Sequence, residues 1–148
     1  MKTTPQTAGT TEIIVRAVIA RADRLLVVRH VAKPWSFLPG GHVEPGERVE
    51  DALVREVDEE LGAPARVGGL VGVVEHGYTE DGATHHELNF VFAVHVDQED
   101  LHSREDHLAF TWVPRDDLPA LDLRPRAVKQ ALIDAPLDAA PFWHPWNP

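Results

Sequence analysis

The sequence predicts an α/β (α+β) fold in which a mixed β-sheet lies between flanking helices. Three observations lead there. Short runs rich in β-branched residues recur along the chain, as in residues 13–20 (IIVRAVIA) and 87–96 (ELNFVFAVHV). Only two stretches of real length, residues 47–61 and 125–134, carry apolar residues at helical spacing. No repeat or linker divides the 148 residues, a length that suits one domain with its own core.

In chain order, residues 1–11 are small and polar and are expected to form a loose tail. Residues 13–20 read as a buried strand, Ala22-Asp23 as a turn and residues 25–29 (LLVVR) as a second strand, which together make a hairpin. Trp35-Ser36-Phe37 is a short extended piece with both aromatic rings on one side. Residues 38–41 (LPGG) and Pro45-Gly46 are turn punctuation. The helix over residues 47–61 opens with Glu47, Glu50 and Asp51, which suit the positive end of its dipole, and stops at Gly62 before Pro64. Residues 65–76 are strand-like with a bulge at Gly68-Gly69, Asp81-Gly82 turns the chain, and residues 87–96 are expected to be the longest strand. A polar loop (97–107), a short strand (110–113), a helical turn (116–118) and a helix over 125–134, with Pro125 near its first position, follow. Residues 136–148, rich in Pro and Trp, are expected to be irregular. Trp143 and Trp146 there are expected to pack on the domain or on a second subunit, which would make a homodimer.

Fourteen Lys and Arg against 24 Asp and Glu leave a net charge of −10. Such a surface disfavours nucleic-acid backbones and anionic membranes as partners. No apolar run has the length of a signal peptide or a membrane helix, so the cytoplasm is the default expectation. There is no cysteine, which excludes disulfides, thiolate metal sites and cysteine nucleophiles. An anionic substrate could bind only where cations or backbone N–H groups offset the field.

Chemistry concentrates in residues 41–63 (GHVEPGERVEDALVREVDEELGA). With Val49 at zero and about 100° per residue, Val49, Leu53, Val57 and Leu61 make an apolar stripe. Glu60 falls inside it, Glu56 at its edge and Glu59 further round. As i, i+3 and i+4 neighbours, their carboxylates are expected to converge. Like charges beside a buried face oppose folding unless a cation joins them. Oxygen ligands without histidine or thiolate suit Mg²⁺, or Mn²⁺ in its place. A solvated acidic helix, held by pairs such as Arg55–Glu59, is the bland alternative.

The Gly-rich turn leading into the helix and a family pattern weigh against that alternative. Gly41, five residues, Glu47, seven residues, Arg55-Glu56-Val57, one residue, Glu59-Glu60, one residue, Gly62 and then Ala63 resembles the Nudix box, GX5EX7REUXEEXGU. Every fixed position is present, and the one soft departure is Ala63, where a larger aliphatic residue is usual. The resemblance implies a single domain over residues 1–148 with the family's α/β/α sandwich. It implies hydrolysis of a nucleoside diphosphate linked to another group: a nucleoside triphosphate, a dinucleoside polyphosphate or a nucleotide sugar such as ADP-ribose. It implies metal ligation by Glu56, Glu59 and Glu60, bracing of loop and helix by Glu47 and Arg55, and backbone roles for Gly41 and Gly62. The family's general base varies, and Glu56, Glu87, Glu105 and Asp106 remain open here, a loop acid such as Glu105 being preferred over Glu87. The rival readings are a Nudix-fold module that binds nucleotide without hydrolysing it, and a nucleic-acid-directed role such as decapping, which the charge disfavours.

Around the box, Trp35 and Tyr78 lie beside turns and are candidates to stack a nucleobase, whereas Phe37 and Phe90 are expected in the core. Tyr78, 15 residues past Ala63, is near but not at the spacing at which a tyrosine resembles dinucleoside-polyphosphate hydrolases. Gly40, Gly41 and His42 are placed to touch phosphate. His85-His86-Glu87 is not expected to share an ion, because neighbouring residues on a strand face opposite ways.

Overall fold

A computed structural model describes residues 9–135 and 139–147. Nine strands and two α-helices form two sheets between two helical layers. Strand β1 (Thr11–Val18) is followed by the short β2 (Ala20–Arg21), β3 (Arg24–His30), β4 (Ser36–Phe37) and β5 (Gly40–His42). Helix α1 (Val49–Leu61) leads to the long hairpin of β6 (Arg66–Glu80) and β7 (Ala83–His95). Then come β8 (Leu108–Pro114), a 3-10 helix (Arg115–Ala120), α2 (Arg126–Asp134) and β9 (Phe142–His144).

One sheet runs β5-β1-β7-β6-β9, mixed in direction, with β1 parallel to β7 over Thr11↔His86 to Val18↔Ala93. The other is built on β3, with β8 along one edge and β2 and β4 along the other. Period-two alternation gives each buried strand two apolar faces. Leu26 and Val28 of β3 pack with Leu53, Val57 and Leu61 of α1. Leu25 and Val27, on the opposite face, pack with Val128, Ala131 and Leu132 of α2. The expected α/β/α layering is therefore present, with two sheets where one was expected.

Several local expectations need correction. Residues 13–20 do not form a hairpin with β3; only Ala20-Arg21 turns back on it, around Ala22 at φ 54°. β1 itself finds the distant β7, a pairing no local turn signal reveals. Of the LPGG punctuation, Gly40 and Gly41 are strand, paired antiparallel with Arg16 and Val15. The longest strand is β6, because the Gly68-Gly69 bulge shifts its register between Val67 and Leu70 without ending it. Helix α1 starts at Val49 rather than Glu47, and Pro125 precedes α2 as its N-cap. Gly62, at φ 63°, ends α1 as expected.

Residues 1–8, 136–138 and 148 lie outside the described residues, as does most of the expected N-terminal tail; Thr11 is already in β1. The C-terminal stretch is not wholly irregular, since β9 adds to β6 in parallel. Trp146 packs on the domain: its ring occupies the space a Cβ at Gly77 would need, and its backbone N–H donates to Glu75 Oε1 at 3.2 Å. Trp143 is 58% exposed. Trp146→Ala is expected to cost about 1–2 kcal/mol from lost apolar burial. Chemical denaturation checks this, and unchanged stability would mean the segment contributes no packing.

Candidate active site

Helix α1 carries the acidic residues because its apolar stripe fixes its rotation. Leu53, Val57 and Leu61 are fully buried, so Glu60 follows them inward and is only 5% exposed. Its Oε2 accepts a hydrogen bond from the Gly40 N–H at 3.0 Å, which ties α1 to β5. Burial pushes the Glu60 carboxyl up to about 8, and the neighbouring Glu56 adds to the rise while the Gly40 bond opposes it. Glu56 is also raised by burial, with Arg55 opposing.

Gly41 is where the strand meets this charge. A Cβ there would stand 2.6 Å from Glu56 Cδ and Oε1, so only glycine lets the carboxylate pack against the strand. Gly41→Ala is expected to displace Glu56 and to lower turnover at least tenfold with little change in secondary structure. Steady-state kinetics with circular dichroism checks it.

Arg55 brackets the other side. Its Nε and Nη2 donate to Glu47 Oε2 and Oε1 at 2.9 and 3.0 Å, and Nη2 also donates to the His42 carbonyl at 3.2 Å. Nη1 donates to Glu56 Oε1 at 3.1 Å and Glu59 Oε1 at 3.4 Å. The bidentate pair holds Glu47 down to about 2 and raises Arg55 above its ordinary value. Glu47 lies ahead of the helix, and its Oε1 also accepts the Glu44 N–H at 3.2 Å across the Pro45-Gly46 turn.

Glu56 and Glu59 meet at Arg55 Nη1, while Glu60 turns to the Gly40 N–H. Among the described residues no three acidic or histidine groups gather closely enough to hold an ion alone. Glu59, 45% exposed, is drawn to Arg55, and Glu60 turns to Gly40. Glu60 lies in the field of Glu56 and Glu56 in that of Glu59, with hard oxygen donors only. That set fits a small hard dication, which takes one or two carboxylates and completes its shell with water and phosphate oxygens.

A cleft of about 1280 Å³ opens beside this corner, between the two sheets. One wall is Arg16, Gly40, Gly41, Glu60, His76, Tyr78, Glu80 and Glu87; the other is His30, Trp35, Phe37, Glu105, His107, Leu108 and the segment from Pro119 to Lys129. Of the sequence candidates, Gly40, Gly41, Trp35, Tyr78, Glu60, Glu87 and Glu105 line it. Glu56 and Glu59 do not line it themselves, although Glu56 abuts Gly41. His42 does not either: its ring turns to Glu12 at 2.9 Å and is 63% exposed, so only its carbonyl serves the site, through Arg55. Asp106 is exposed outside the cleft, whereas Glu105 reaches the field of Glu56 and Glu60 and pairs with His107 at 3.2 Å. Phe37, expected in the core, is only partly buried and faces the cleft. His85 stacks on Tyr78 at 4.8 Å while His86 pairs with Glu75 at 2.8 Å, on opposite faces as expected.

Arg16 is the residue the sequence reading passed over. It is buried, and desolvation lowers its pKa while Glu60, Glu87 and Glu56 support its charge. Nη1 donates to the Leu38 carbonyl at 3.1 Å, but Nε has no partner. Its signal was visible as a lone cation inside an apolar strand, IIVRAVIA. A buried guanidinium that lines an acidic cleft supplies positive charge where an anionic group would lie.

The family described as NUDIX domain matches residues 10–132. An ADP-ribose pyrophosphatase of Methanocaldococcus jannaschii is 30% identical over 112 residues, 74% of this chain and 65% of that protein. A CTP pyrophosphohydrolase of Escherichia coli is 43% identical over 63 residues, 39% of this chain and 46% of that protein. The chain spans less than two thirds of the length of either curated relative. A solved MutT NUDIX hydrolase from Burkholderia pseudomallei superposes with a TM-score of 0.71 at 30% identity, covering 86% of this chain and 99% of that one.

Proposed function

The chain belongs to the Nudix family, and on that premise we propose that it hydrolyses a phosphoanhydride bond of a nucleoside diphosphate linked to a further group. The observation that carries the proposal is the corner where Glu56 and Glu60, both raised by burial, meet the Gly40-Gly41 strand at the cleft. Glu56, Glu60 and Glu59 would hold Mg²⁺, with Mn²⁺ as substitute. Bound there, the ion supplies charge neutralisation for the phosphates and acidifies water.

The chain's own residues do the rest. Gly40 and Gly41 let phosphate oxygens approach the backbone. Arg16, which lines the cleft, sets its guanidinium charge opposite the phosphates. Glu105 accepts the proton of the attacking water as its oxygen bonds to phosphorus and the bond to the leaving phosphate breaks. Arg55 and Glu47 hold Glu56 and the His42 carbonyl in place. Trp35 and Tyr78 line the cleft beside the groups flanking the diphosphate.

The test is release of nucleoside monophosphate from a panel of nucleoside triphosphates, dinucleoside polyphosphates and nucleotide sugars, with Mg²⁺ or with chelator. Mg²⁺-dependent turnover of any member supports the reading. Metal-dependent binding without turnover would favour a nucleotide-binding module instead.

A further inference from the structure

The cleft is electrically two-ended although the chain carries −10 overall. Glu60, Glu80, Glu87 and Glu105 stand towards α1 and the β6–β7 hairpin, while Arg124, Arg126 and Lys129 come from the wall where α2 begins. Asp122, on the same wall, offsets Arg124, so Arg126 and Lys129 carry the charge that no carboxylate there balances. The first turn of α2 contains no acid, and Arg126, its first residue, sits against the helix dipole. Arg126 makes no ion pair among the described residues. Lys129 Nζ is held over the cleft wall by the Pro119 and Leu121 carbonyls at 2.9 and 2.8 Å, with no carboxylate to offset it.

The two ends are joined by a ladder of side chains. Arg16 lies over Phe37 at 5.9 Å, Phe37 neighbours Trp35 at 6.0 Å, and Arg124 lies over Trp35 at 5.4 Å. The ladder is fixed by backbone bonds between Ser36 and the α2 approach: Ser36 N–H to Asp122 O at 2.9 Å and Arg124 N–H to Ser36 O at 2.8 Å. Arg124 is held there by its bidentate pair with Asp122. A ligand with its diphosphate at the Arg16 end therefore lays its next group along Trp35 and Phe37 and ends among Arg124, Arg126 and Lys129. Tyr78 lies on the facing wall, stacked between His76 and His85.

We infer that the cleft is built for a nucleotide sugar whose sugar bears an anionic group, phosphate or carboxylate, received by Arg126 and Lys129. The inference rests on the diphosphate hydrolysis proposed above and names its substrate more closely. Sugars with a flat apolar face stack on Trp35-type platforms, and a guanidinium and an ammonium around one oxyanion supply charge-assisted bonds.

Two matched pairs test it on the whole chain with Mg²⁺: ADP-ribose against ADP-ribose 1″-phosphate, and UDP-glucose against UDP-glucuronate. The anionic member of a pair is expected to have at least a tenfold higher kcat/KM, mostly through KM. Arg126→Gln, at an exposed position, is expected to bring that ratio to within about twofold of unity. Raised salt should narrow the wild-type ratio. Equal turnover of the two members, a preference that survives Arg126→Gln, or turnover confined to compounds outside both pairs overturns the inference and leaves diphosphate hydrolysis standing. Absence of metal-dependent turnover across the whole nucleotide panel overturns the reading beneath it.

Discussion

Glu56→Gln is expected to lower turnover by about 10²- to 10³-fold, the usual cost of removing one electrostatic element from a hydrolytic site. The loss should appear in kcat. The fold should survive, because the amide matches the carboxylate in size and the packing against Gly41 is kept. Arg55 loses one partner but retains its bidentate pair with Glu47, so the loop before α1 stays in register. Steady-state kinetics beside thermal unfolding separates the two effects. Near wild-type kcat would show that Glu56 plays no part in the chemistry.

The second large effect is on stability. Glu60 has a folded-state pKa of about 8 against an ordinary 4.5, so between those values the folded protein keeps a proton that the unfolded chain has lost. Its contribution is fully present below about pH 4.5 and is lost as pH rises through about 8. In chelator, the wild-type protein is therefore expected to lose stability, by up to a few kcal/mol, over that window. Glu60→Gln removes the charge, keeps an oxygen for the Gly40 N–H and flattens this slope. The variant should be at least as stable as wild type at pH 8, yet turn over orders of magnitude more slowly. Urea denaturation at pH 5 and pH 8 reads the slope, and identical slopes in the two proteins would refute the assignment.

These two residues also show how much of the site was legible in the sequence. Glu60 stood out because helical periodicity fixes which way each residue of α1 faces, and the structure buries it as that projection requires. Glu47 and Arg55 followed from the box spacing, and the pair is formed. What spacing along one helix could not show is competition between neighbours. Arg55 Nη1 holds Glu56 and Glu59 together, while the Gly40 N–H draws Glu60 towards β5.

Residues placed by long-range pairing were harder to read. Arg16 faces the cleft only because β1 sits between β5 and β7, and neither partner is marked by a local turn. His42 lies in the expected stretch, but its strand register against Ile14 points the ring to Glu12. The strand β9 and the Trp146 contact depend on Gly72 and Gly77, notches in β6 that a linear reading takes for weak strand residues. Local chemistry was legible; side-chain direction set by distant strands was not.

The proposed chemistry requires the carboxylates of α1 to hold a divalent cation that relieves their buried charge. The most direct measurement is the unfolding midpoint of chelator-treated protein at pH 8, with and without added Mg²⁺, for wild type and Glu56→Gln. Mg²⁺ is expected to raise the wild-type midpoint by several degrees and to leave the variant nearly unmoved. An equal shift in both proteins, or none in the wild type, would contradict it.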